Sequence, residues 1–103
     1  MTHPAPASAP ADAVLIVNDR PDQVLAITTM LEPLGVELVA AGSGPEALRL
    51  ALHRSFAVML LDVHMPGMDG FEIADAVRHR PSSTVTPIIF VSVSRQDEVD
   101  RLR

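Results

Sequence analysis

The chain alternates between short runs of apolar residues and segments whose apolar positions recur every three or four residues. Ala13-Val14-Leu15-Ile16-Val17, residues 57–61 and residues 88–91 are continuous apolar runs of four or five residues, rich in branched side chains. Runs of this kind suit strands buried on both faces of a parallel sheet, where neither side meets water. Residues 36–40 read Val-Glu-Leu-Val-Ala, and the charge among them suits an edge strand. Between the runs, Val24, Ile27, Leu31 and Leu34 form one helical stripe. Pro21 stands where a first helical turn tolerates it, and Gly35 follows as a stop. A second helix is predicted from Pro45 to Arg54, with Ala47, Leu48, Ala51 and Leu52 on one face. A third covers residues 69–79, with Ala74 and Val77 inward, Phe71 nearby and Pro81 ending it. Ser94 is placed to cap a fourth helix near Arg95, with Asp97 and Glu98 in its first turn.

This βαβαβαβα order predicts an α/β fold with right-handed crossovers and a doubly wound parallel sheet. Ligands of such sheets bind outside the carboxyl ends of the strands. There the first run stops at Asn18-Asp19, the third at Asp62 and the fourth at Ser92. Adjacent strands lie ~4.8 Å apart, so these side chains converge. Taken singly, each reads as a loop residue or a helix cap. Taken together they repel, because two carboxylates at one place need a neutralising partner. A hard cation such as Mg²⁺ or Mn²⁺ takes oxygen ligands and needs only one or two carboxylates. A carboxylate beside such a cation is also a nucleophile that forms an acyl phosphate, with Ser92 placed to donate to a phosphoryl oxygen.

Composition narrows the setting. With 103 residues there is room for one domain, and 48% of them are apolar, enough for a packed, largely aliphatic core. Residues 1–11 read as a flexible Pro/Ala-rich leader and residues 12–103 as the domain. The absence of cysteine excludes disulfides and thiolate metal sites. No apolar stretch approaches the ~20 residues that span a bilayer. The N-terminus lacks the basic start and apolar segment of a secretory signal, so a cytoplasmic location is expected and membrane association is not. The net charge of −5 argues against nucleic-acid binding by this segment, which needs a basic face. All eight basic residues are Arg. His3, His53 and His79 have no partners at metal spacing and read as surface residues, and the His64 imidazole reads as an exposed loop side chain.

Three segments carry a family resemblance: Val17-Asn18-Asp19-Arg20-Pro21, residues 60–70 (Leu-Leu-Asp-Val-His-Met-Pro-Gly-Met-Asp-Gly) and Pro87-Ile88-Ile89-Phe90-Val91-Ser92. They resemble the signature segments of response-regulator receiver domains, and the middle one is the most specific. The resemblance implies a flavodoxin-like sheet of order 2-1-3-4 and a signalling phosphoacceptor rather than an enzyme. It implies Asp62 as phosphoacceptor, Asp19 and Asp62 as cation ligands with the His64 backbone carbonyl, and Ser92 as the switch hydroxyl. The partners it implies are a histidine kinase or phosphotransfer protein and a downstream output domain or protein. The wording around the motifs also looks like the receivers of hybrid sensor histidine kinases. Pro66, Gly67 and Gly70 are expected to shape the loop that turns the His64 carbonyl toward the cation.

The chain departs from the family pattern in three places. Asn18 stands where an acidic pair usually begins; it is expected to hold a cation-bound water, at the cost of one charge and some affinity. Val93 follows Ser92 where a smaller residue is usual. The family's Lys, fifth strand and fifth helix are absent, so the chain reads as a fragment stopping inside its fourth helix, with a homodimer expected to cover the strand edge this leaves. Two other readings remain: a pseudo-receiver that binds partners without phosphorylation, and a dinucleotide-binding domain. The second rests on Gly42-Ser43-Gly44-Pro45-Glu46-Ala47, which fits G-x-G-x-x-A, with Asp62 at the next strand's end. Against it, Pro45 removes an N–H where a pyrophosphate needs donors.

Overall fold

A computed structural model describes residues 13–92. The leader, His3, Val93 and the fourth helix expected near Arg95 lie outside the described residues. Four parallel strands, β1 (Ala13–Val17), β2 (Glu37–Ala41), β3 (Val58–Asp62) and β4 (Ile88–Val91), form one sheet in the order β2-β1-β3-β4. This is the flavodoxin-like order expected from the sequence. Helices α1 (Pro21–Leu31), α2 (Gly44–His53) and α3 (Gly70–Arg78) make the crossovers.

Burial explains the strand patterns. All five residues of β1 are buried, as an uninterrupted apolar run between two neighbours requires. β2 pairs only with β1 among the described residues, and its Glu37 is exposed. The main core lies between the sheet and helices α2 and α3. It joins Leu15, Val17, Met59 and Leu61 of the strands to Ala47 and Ala51 of α2 and Ile73 and Val77 of α3. Val14 and Ile16 are also buried, and strand alternation points them to the opposite face.

Several local expectations are corrected. The α-helical ladder of α1 stops at Leu31 and tightens into a 3-10 turn at Glu32–Leu34. The cause is Pro33, which has no N–H for the next rung of the ladder. Gly35 does end the segment, at φ 73°. On α3 the central buried side chain is Ile73, which the periodicity passed over, whereas Phe71 is exposed and stacks on Phe90 with ring centroids 4.7 Å apart. Leu52 of α2 is exposed rather than inward.

Candidate functional site

The strand register assembles the site. Val17 pairs with Leu61, and Asp62 pairs with Val91. Asn18 therefore follows β1 alongside Asp62, and Ser92 follows β4 one step beyond Asp62's partner. An open cleft of about 500 Å³ lies at this end of the sheet, lined by Asp19, Arg20, Val63, His64, Met65, Pro66 and Asp69. Asp19 and the loop after Asp62 thus share one depression. Ser92 is exposed beside it at the end of β4 and does not line the cleft.

Asp62 is only 4% exposed. One carboxylate oxygen, Oδ1, accepts the backbone N–H of His64 at 3.1 Å. Among the described residues no basic side chain pairs with Asp62 or Asp19. Asp19 itself is exposed, as is the His64 side chain. Asn18 is buried; its side-chain oxygen accepts the Arg20 N–H at 2.9 Å and its NH2 donates to Gln23 Oε1 at 3.0 Å.

The loop from Asp62 to α3 is held at several points. Gly67 has φ 79°, a left-handed conformation that side chains disfavour. Gly70 is not in that region; its requirement is space. A Cβ there would stand 2.5 Å from the Asp62 carbonyl oxygen, so the start of α3 lies directly on the Asp62 backbone. Asp69 caps α3 in a reciprocal pair: its side chain accepts the Glu72 N–H at 2.9 Å, and Glu72 accepts the Asp69 N–H at 2.9 Å. The Met68 side chain fills the space in front of Gly44, where a Cβ would meet its sulfur at 2.6 Å.

That contact also decides the dinucleotide reading. Two of the donors a pyrophosphate would use are already taken: Gly42 N–H goes to Glu46 Oε1 at 2.9 Å and Glu46 N–H to Ser43 Oγ at 3.3 Å. With Met68 seated on Gly44, the G-x-G-x-x-A segment is a helix start packed on the site loop.

The donor set suits a hard cation. Asp19, Asp62 and the backbone carbonyls of the loop after Asp62 offer only oxygen donors, with the cleft open for water. Among the described residues no group of three or more His, Cys, Asp and Glu side chains gathers at metal distance. No described helix is long and apolar enough to cross a membrane. Sequence reasoning missed Arg20 and Asp69 on the cleft wall and Gln23 behind Asn18. Asp69 was findable, since Asp-x-x-Glu before an apolar run is a capping signature.

The family model described as response regulator receiver domain matches residues 14–103. Sensor protein GacS of Pseudomonas syringae pv. syringae is 41% identical over 73 residues, covering 71% of this chain and 8% of that protein. Protein PilH of Pseudomonas aeruginosa is 31% identical over 84 residues, covering 82% of this chain and 69% of PilH. The structure of chemotaxis response regulator CheY4 of Vibrio cholerae is similar at TM-score 0.76 and 33% identity, covering 89% of this chain and 77% of that one. The chain spans a small fraction of the sensor proteins it matches.

Proposed function

This chain belongs to the response regulator receiver domain family of two-component signalling, and on that premise we propose that Asp62 is its phosphoacceptor and that Asp19 and Asp62 hold Mg²⁺ or Mn²⁺ together with the His64 carbonyl. The observation that carries the reading is Asp62 itself: a carboxylate 4% exposed at a strand's carboxyl end, with no cationic side-chain partner among the described residues. A buried, unneutralised carboxylate is costly, and a cation shared with Asp19 offsets that cost. When bound, the cation neutralises charge on the transferring phosphoryl group.

The chain's own residues account for the rest. His64 N–H fixes Oδ1, which leaves the other carboxylate oxygen of Asp62 as nucleophile. A new P–O bond forms as the P–N bond of a phosphohistidine donor breaks, and the departing imidazole nitrogen keeps the electron pair and takes a proton. Ser92, at the end of β4, donates its hydroxyl to the phosphoryl group. The donor is a histidine kinase or phosphotransfer protein, and an output domain or downstream protein reads the change. The reading places the domain in the cytoplasm, with the ATP that feeds the kinase.

A phosphorylation-independent receiver is the second reading, favoured by Asn18, whose amide is engaged at both ends and carries no charge. One experiment separates the two. The protein carrying this chain, given acetyl phosphate and Mg²⁺, gains one phosphoryl group that hydroxylamine removes, and Asp62→Asn gains none. Failure of the wild-type protein to be labelled supports the second reading.

A further inference from the structure

Asn18 is 2% exposed, and a primary amide sealed from water needs partners at both ends. A backbone N–H only donates, so the 2.9 Å bond from Arg20 N–H fixes which end of the amide is oxygen. The NH2 end then requires an acceptor, and Gln23 Oε1 supplies it at 3.0 Å. Gln23 is half-buried in the first turn of α1, so the helix start holds the end of β1 through this pair of amides.

We propose that Gln23 is a positioning residue for the cation site, acting through Asn18. The inference rests on the reading of Asp19 and Asp62 as cation ligands. Gln23 draws the Asn18 NH2 toward α1 and leaves the carbonyl at the turn that carries Asp19. That carbonyl has a second lone pair, which accepts an O–H from a cation-bound water. Without the Gln23 acceptor, a buried NH2 has no partner on its own side. Strand register sets Asn18 beside Asp62, and the freed NH2 donates to a carboxylate there. An amide donor on a cation ligand competes with the cation. Partners that orient ligands in this way are worth on the order of tenfold in metal affinity.

The test is a Mn²⁺ titration of ¹⁵N-labelled protein, read as broadening of the amides of residues 18–20 and 62–65. The Asn18 side-chain NH2 resonances without metal are the second readout. Gln23→Met, which keeps the length and loses the acceptor, weakens Mn²⁺ binding on the order of tenfold and moves those resonances. Gln23→Glu keeps the acceptor and binds at least as tightly as wild type. Placed on Asn18→Ala, Gln23→Met has no further effect, since its partner is gone. Gln23→Ala gives the same answer as Gln23→Met if the longer side chain disturbs folding. An unchanged affinity in Gln23→Met, or an equal loss on the Asn18→Ala background, overturns the role of Gln23 and leaves the cation site standing. A wild-type protein whose broadening falls elsewhere overturns both.

Discussion

Among the described residues, the two faces of the sheet are covered unequally. On one, α2 buries Gly44, Ala47 and Ala51 and α3 buries Gly70, Ile73 and Val77. On the other, α1 has no fully buried residue, and Leu25 and Met30 are 66% and 75% exposed. The ends of the helices differ in the same direction. α2 and α3 each begin with a side-chain cap, Ser43 and Asp69, whereas α1 begins at Arg20 with none. The face that carries α2 and α3 therefore supports the loop after Asp62, through Met68 on Gly44 and Gly70 on the Asp62 carbonyl. On the other face, Gln23 in the first turn of α1 reaches back to the Asn18 amide.

The largest expected consequence is in core truncation. Ile73→Ala removes a side chain with no exposed surface and should cost ~2–5 kcal/mol in denaturant unfolding. Leu25→Ala on α1 should stay within ~0.5 kcal/mol. Equal losses at the two positions would mean that α1 is packed as tightly as α3.

Capping gives a smaller contrast. Asp69→Ala should lose ~1 kcal/mol, because it breaks a reciprocal pair at α3. Arg20→Ser, which offers α1 the cap it lacks, should gain a few tenths to ~1 kcal/mol in the same measurement.

The smallest effect concerns Glu37, where the edge strand meets the end of α2. Arg54 forks onto its two oxygens at 3.1 and 2.8 Å and holds its carboxyl below the ordinary value, by hydrogen bonding and then by charge. A lowered folded-state value stabilises the fold above the ordinary Glu range, and this is lost as pH falls through the lowered value. The pair is exposed, so the gain is slight. Thermal unfolding of Glu37→Gln and wild type should differ a little near neutrality and converge in acid.

Much of this was legible in the chain. Unbroken apolar runs marked β1 and β4 to the residue, and β2 and β3 lie one position beyond the runs that announced them. The runs located the strands but not their burial: β1 is buried on both faces, whereas Ile89 and Phe90 of β4 are 53% and 41% exposed, against the expectation for an unbroken apolar run. Helix faces were harder. Ile73 follows Phe71 and Glu72, and the larger Phe drew attention, yet Phe71 lies on the outside against Phe90. Gly70 was flagged for backbone freedom, while the structure gives it a steric reason that depends on the close approach of two segments. The site followed the same division. Asp19, Asp62 and Ser92 were readable as strand ends, but the Asn18–Gln23 pair was not, because one helical turn brings Gln23 back onto a residue five positions earlier.

The central claim, phosphoryl transfer to Asp62, is tested most directly by locating the modified residue. The protein is treated with acetyl phosphate and Mg²⁺, reduced with borohydride, digested and sequenced by mass spectrometry. Reduction of an aspartyl phosphate leaves homoserine, which marks the acceptor permanently. The account requires homoserine at position 62 and nowhere else, and none when Mg²⁺ is withheld with chelator. Homoserine at another aspartate, or a stable phosphate on Ser92 with Asp62 intact, would contradict it.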